Sequence, residues 1–142
     1  MSQTALMLRL RIQYNRALAF RPTTFMILSF LASHGGSSAR FLINAMRSGA
    51  LAAEPGILIT NNRDSAIFHW CLEQGIAVRH ISAKSHRGED NADDAICTVL
   101  QAANTDLVLC SGYMKHIGPR TLRAFSGRIL NIHPALLPRH GG

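Results

Sequence analysis

The stretch "FMILSFLASHGGSSARFLINAMRSG" (residues 25–49) decides the predicted fold of this chain. Its first nine residues form an apolar run that is followed by two glycines, a pattern typical of a strand buried on both faces of a sheet. Four apolar residues then recur at helical spacing: Phe41, Leu42, Ala45 and Met46. Gly49 ends this predicted helix. A strand, a glycine-rich turn and a helix are the beginning of a βαβ unit.

Strands and helices keep alternating towards the end of the chain. Further strands are predicted at 55–60, 76–82, 105–112 and 128–133. Helices are predicted at 64–75, where Asp64 is the cap and Gly75 the end, at 91–104, and briefly after Pro119. Such alternation with short turns implies right-handed crossovers. We therefore expect an α/β fold: a Rossmann-like, doubly wound, mostly parallel sheet with helices on both faces.

The charges divide the chain into a leader and a body. Residues 1–24 contain four arginines and no acidic residue, whereas the whole chain of 142 residues carries a net charge of +7. The leader resembles some transit peptides in its arginines and lack of acids, and without a continuous apolar core it is a poor signal peptide. We expect a disordered or mis-started basic extension. The mildly basic body has no arginine stripe interleaved with aromatic residues. This favours an anionic small molecule over nucleic acid as its partner.

The cysteines and histidines indicate the cellular compartment and whether a metal site is expected. Cys71, Cys97 and Cys110 are odd in number and lie in apolar stretches, which favours a reducing compartment, and we expect the cytoplasm. The seven histidines show no regular metal-ligand spacing, so we expect no metal. No run of about 18 or more apolar residues appears, so we expect no membrane span.

Two turns at the predicted carboxyl ends of strands carry candidate functional residues. In the first, Gly36, Ser37 and Ser38 open a helix, whose free N–H groups suit a phosphate. The alternative is an ordinary capped βα turn. In the last, Asn131 and His133 share one face of a strand and could stabilise an oxyanion and move a proton. The alternative there is a histidine bonded to a neighbouring carbonyl.

Three segments resemble the folate-dependent formyltransferases: "ILNIHPALLPRHGG" (129–142), "LASHGGSSARFLI" (31–43) and the stretch 105–138. Within that group they are most similar to the phosphoribosylglycinamide formyltransferases of purine biosynthesis. The resemblance covers about residues 25–142, and it implies that this range is the amino-terminal, nucleotide-binding part of a formyltransferase domain.

The resemblance also implies roles for single residues. Gly36, Ser37 and Ser38 would hold the phosphate of glycinamide ribonucleotide. Asn131 would bond the formyl oxygen, and His133 would be the catalytic acid. The pterin site of the co-substrate 10-formyltetrahydrofolate would be lined by Met114, Lys115, His116 and Ile117, together with Asn131.

The sequence departs from the family pattern at several positions. Ser38 stands where asparagine is common, Lys115 where arginine is usual, and Glu89, with Arg87 nearby, where a folate-contacting arginine would fall. The family's catalytic aspartate lies well downstream of the histidine. We therefore expect a truncated domain with at most trace activity, prone to aggregate or to form a homodimer. The alternatives are a non-catalytic phosphate-binding remnant, a methionyl-tRNA formyltransferase and a formyltetrahydrofolate deformylase.

Overall fold

The computed structural model describes residues 25–132 of the chain. Five strands and five helices follow one another in this range. In chain order they are β1 (Met26–Ala32), α1 (Ser37–Arg47), β2 (Ala53–Thr60), α2 (Ala66–Gln74), β3 (Val78–His80), α3 (Ala83–His86), α4 (Glu89–Ala102), β4 (Leu107–Cys110), α5 (Pro119–Ala124) and β5 (Ile129–Asn131).

The strands form one parallel sheet in the order β3-β2-β1-β4-β5. The central strand β1 pairs with β2 on one side and with β4 on the other, and Phe30 lies opposite Leu58 and Leu109. The chain adds β2 and β3 on one side of β1 and then returns to add β4 and β5 on the other side. The strand order therefore reverses between the neighbouring strands β1 and β4. In such sheets the crevice beyond the carboxyl ends of these two strands is where ligands bind.

Each face of the sheet is covered by helices. On one face, Ala39, Ile43 and Met46 of α1 and residues of α2 pack on Phe30 and Leu58. On the other face, α4 and the end of α5 enclose a second cluster. Its buried members are Leu31, Ile59, Ile81, Ala92, Ile96, Leu100, Val108, Cys110 and Phe125. The predicted α/β, doubly wound architecture is thus confirmed.

Several local predictions were wrong in detail. Helix α2 is capped by Ser65, whose hydroxyl accepts the Phe68 N–H at 3.3 Å, and Asp64 is exposed one residue earlier. Phe41 is 72 % exposed, because the buried face of α1 is centred on Ala39 and Ile43, and a residue two positions from Ala39 points the opposite way. Helix α4 begins at Glu89, two residues earlier than predicted.

Two predicted features lie outside the described residues: the basic leader 1–24 and the catalytic candidate His133. Among the helices of residues 25–132, even the 14-residue α4 lacks the length and apolar character that crossing a bilayer requires.

Candidate functional site

The carboxyl ends of the strands border an open cavity of about 1410 Å³. It is lined by the segments that follow β1, β2, β3 and β4 and by the beginning of α4. Of the residues predicted to bind folate, Met114, Lys115 and His116 line this cavity. Ile117 instead packs against the second core cluster. Polar and charged side chains therefore line a cavity at one end of the sheet, as expected for the ligand site of an α/β fold.

The turn after β1 is shaped by Gly36. This residue has φ 57° and ψ 39°, and an added Cβ would lie only 2.7 Å from Cγ1 of Ile67. A side chain would therefore be strained here in both conformation and space. The turn delivers the chain directly into α1, where Ser37 is the first helical residue.

The first turn of α1 leaves two N–H groups for a ligand. The first helical bond runs from the Arg40 N–H to the Gly36 carbonyl at 2.9 Å, and the Ala39 N–H donates to the Ser111 hydroxyl at 3.1 Å. Within residues 25–132, the N–H groups of Ser37 and Ser38 have no acceptor. Two free N–H groups at the positive end of a helix suit an anion.

Asn131 is the last residue of β5 and is exposed at the carboxyl end of that strand, in register with Cys110 of β4. Neither Asn131 nor the turn 36–38 lines the large cavity. The described candidate residues thus lie in three places at the carboxyl edge of the sheet: the α1 turn, the segment after β4 and the end of β5.

Burial keeps two groups near the site in their neutral forms. It raises the pKa of Tyr113 to about 12, and the negative charge of Glu89 adds to the effect. Burial also raises the pKa of the Cys110 thiol. Both groups are therefore protonated at neutral pH and neither serves as a base. In the described part of the chain, no group of three or more histidine, cysteine, aspartate or glutamate side chains could hold a metal ion.

Three buried polar residues at this edge were not found by sequence reasoning. Ser33 and Ser111 directly follow β1 and β4, and the hydroxyl of each accepts a backbone N–H from another segment. Asp93 of α4 accepts N–H bonds from the first turn of α5. A polar residue directly after an apolar strand, or an acid on the apolar face of a helix, is the signal that could have found them.

Comparison with known proteins agrees with this architecture. Residues 26–142 match the family model described as formyl transferase. The chain is 33 % identical over 115 residues to a phosphoribosylglycinamide formyltransferase of Haemophilus influenzae, covering 81 % of this chain and 54 % of that protein. It is 34 % identical over 116 residues to the chloroplastic phosphoribosylglycinamide formyltransferase of Arabidopsis thaliana, covering 81 % of this chain and 40 % of the relative.

A solved structure shows the same relationship. The crystal structure of glycinamide ribonucleotide transformylase 1 from Symbiobacterium toebii superposes with a TM-score of 0.78 at 29 % identity, over 83 % of this chain and 56 % of that one. The chain spans about half the length of the Haemophilus protein and of this solved structure. The family match extends over most of the chain, and the chain belongs to the formyl transferase family.

Proposed function

We propose that this chain is the nucleotide-binding part of an enzyme that moves a formyl group from 10-formyltetrahydrofolate to the amine of glycinamide ribonucleotide. The observation that carries the proposal is the start of α1, where the N–H groups of Ser37 and Ser38 have no acceptor among residues 25–132. This turn directly follows β1, the central strand of the sheet. Relatives named phosphoribosylglycinamide formyltransferase support the choice of the formyl acceptor.

In this proposal the two substrates meet at the carboxyl edge of the sheet. The phosphate of glycinamide ribonucleotide binds at Gly36, Ser37 and Ser38, where the helix N-terminus and two hydroxyls supply donors. The folate co-substrate lies against Met114, Lys115 and His116, with Ile117 supporting them from the core. The cavity beside these residues, about 1410 Å³, is large enough for a ligand of that size.

Asn131 and His133 act on the formyl group. The ribonucleotide amine attacks the formyl carbon, and the Asn131 amide donates a hydrogen bond to the oxygen as it gains charge. The bond from the formyl carbon to N10 then breaks, and His133 as general acid supplies a proton to N10 while the attacking amine loses one. The formyl group passes directly from N10 to the amine, so no acyl-enzyme is required, and holding both substrates in line supplies much of the rate.

We also propose a cellular compartment and an assembly for this enzyme. Cys71, Cys97 and Cys110 are buried free thiols, which supports a reducing compartment such as the cytoplasm. Small molecules are the proposed substrates, and a homodimer is the proposed assembly if the β5 edge remains uncovered.

The first test is calorimetry of the 142-residue chain with glycinamide ribonucleotide. We expect binding that Ser37→Ala weakens about fivefold to tenfold, the scale of one hydrogen bond, and that Ser37→Asp abolishes by placing a like charge on the site. Ser126→Asp, an exposed change after α5, is the matched control. Equal affinity of the wild type and Ser37→Asp would refute the phosphate site.

The second test follows glycinamide ribonucleotide-dependent consumption of 10-formyltetrahydrofolate. We expect at most trace turnover by the 142-residue chain, since its relatives are much longer than the matched stretch. A chimera extended with the remaining part of the Haemophilus relative should be active, and His133→Ala should reduce its rate by a factor on the order of 10⁴. An extended chimera that keeps its rate after His133→Ala would contradict the role of His133.

A further inference from the structure

We propose that Ser33 and Asp93 are positioning residues that clamp the segment 112–118 at its two ends. This segment contains Met114, Lys115 and His116, which line the cavity. The inference rests on the proposed function for the identity of the ligand, but the clamp itself is visible in the hydrogen bonds of the described chain.

The first end of the segment is held by Ser33, which is 1 % exposed. Its N–H donates to the Gly112 carbonyl at 3.2 Å, and its hydroxyl accepts the Met114 N–H at 2.8 Å. The hydroxyl proton is donated to Oδ1 of Asn61 at 2.6 Å, which orients the oxygen lone pairs towards Met114. Ser33 therefore ties the segment to the ends of both β1 and β2.

The other end is held by Asp93, which is 6 % exposed. One carboxylate oxygen accepts the Arg120 N–H at 2.8 Å, and the other accepts the Thr121 N–H at 3.1 Å. Helix α5 has no side-chain cap from its own Gly118, so Asp93 of α4 supplies the cap. A Cβ at Gly118 would overlap the Asp93 carboxylate, which explains why glycine occupies this position.

Between the two clamps the backbone of the segment makes few hydrogen bonds. Within residues 25–132, the only hydrogen bond made by the backbone of residues 113–117 is the one from Met114 to Ser33. Met114, Lys115 and His116 are exposed to the cavity, while Tyr113 and Ile117 are partly buried. The conformation that these residues present to a ligand therefore depends on where Ser33 and Asp93 place the ends.

Asp93 offers a test with a matched neighbour. Asp94 is exposed and pairs with the Arg120 side chain at 2.8 Å, whereas Asp93 bonds the backbone of the same residue. Asp93→Asn retains the shape of the side chain but aims an amide donor at one of the two N–H groups. Asp94→Asn removes a charge of the same kind without touching the cap.

The experiment measures amide hydrogen exchange and ligand affinity on the 142-residue chain. We expect Ser33→Ala to speed hydrogen exchange of the Met114 amide about tenfold, the scale of one lost buried hydrogen bond. Asp93→Asn should speed exchange of the Arg120 or Thr121 amide by a similar factor. Affinity for 5-formyltetrahydrofolate should fall by a similar factor for both variants. Asp94→Asn should change neither quantity, and affinity of Asp93→Asn for glycinamide ribonucleotide should stay within about twofold, since no bond to the α1 turn is altered.

The outcomes separate this inference from the proposed function. Unchanged exchange over residues 113–121 in Asp93→Asn overturns the clamp, whatever the ligand does. Faster exchange that extends to Phe30 in the central strand assigns Asp93 to general stability and also overturns it. If the wild type binds no folate, the proposed function fails, and local faster exchange in both variants still supports the clamp. If folate binds equally well to wild type and variants, the positioning role is refuted while the proposed function stands.

Discussion

The hydroxyl of Ser111, at the end of β4, accepts a hydrogen bond from the backbone N–H of Ala39, in the first turn of α1, at 3.1 Å. Both residues are buried, and 72 positions of sequence separate them. The bond joins the segments that follow the neighbouring strands β1 and β4. It occupies the third N–H of α1, so that in the described part of the chain the Ser37 and Ser38 N–H groups are the donors of this helix end that have no acceptor.

Ser111→Ala should lower the free energy of unfolding by about 2 kcal/mol, because the Ala39 N–H is then buried without an acceptor. Urea unfolding followed by circular dichroism measures the difference. Ser126→Ala, which alters an exposed serine, should stay within about 0.5 kcal/mol of the wild type. If the two variants are equally stable, water replaces the hydroxyl and the bond has little net value.

Gly36→Ala should be far more costly than Gly35→Ala. At position 36 a Cβ meets Ile67 at 2.7 Å and the residue has φ 57°, whereas nothing lies within 4 Å of a Cβ at position 35. We expect Gly36→Ala to lose about 2–4 kcal/mol of stability, from left-handed strain and overpacking together. Gly35→Ala should be nearly neutral. Thermal melting of both variants measures the difference in stability. Similar melting temperatures would contradict this account of the turn.

Tyr113 should lose its phenolic proton only at strongly alkaline pH, and the free energy of unfolding should therefore depend on pH in that range. Its pKa is raised to about 12 by burial, above the ordinary value of about 10. Between these two values the unfolded chain loses the phenolic proton and the folded chain keeps it, so stability falls as pH rises through this window. In a Tyr14→Phe background Tyr113 is the sole tyrosine, and ultraviolet absorbance then follows it alone. A midpoint near pH 10 in the folded protein would contradict its burial.

The β5 edge of the described sheet should promote self-association. Leu130 is 50 % exposed and Ile132 is 46 % exposed along this three-residue strand and its end. An exposed apolar strand edge is a template for pairing with another chain. We expect sedimentation velocity to show concentration-dependent association that Leu130→Lys reduces. Leu72→Lys, at a similarly exposed leucine of α2, is the control. A monomer at all concentrations would refute the prediction.

The order of elements could be predicted from the sequence because strands and helices are marked by patterns within a few residues. The apolar run of β1, the helical spacing of α1 and the glycines between them are all local signals. They led to an α/β sheet wound on both faces and to the glycine-containing turn at Gly36–Ser38, whose phosphate role stays a prediction. The same signals misplaced the cap of α2 at Asp64, since two adjacent residues are both good caps and only the backbone conformation at Ser65 separates them.

Residues that act across the fold could not be predicted in this way. Asp93 and Thr121 are 28 positions apart, and Ser33 and Met114 are 81 apart. Their hydrogen bonds depend on how α4 packs against α5 and on which strands lie side by side. From the sequence alone, Asp93 is predicted to be an ordinary acidic residue in the second turn of a helix.

The sequence by itself therefore determined the type and order of the elements, the parallel winding of the sheet and the turn that presents free N–H groups. Periodicity, glycine and helix termini act through neighbouring residues, so one chain segment suffices to reveal them. The tertiary structure alone decided which buried polar groups become partners, as for Ser111 with Ala39 and Asp93 with the first turn of α5. A buried donor takes the acceptor that packing brings within about 3 Å, and that choice is made by the assembled fold.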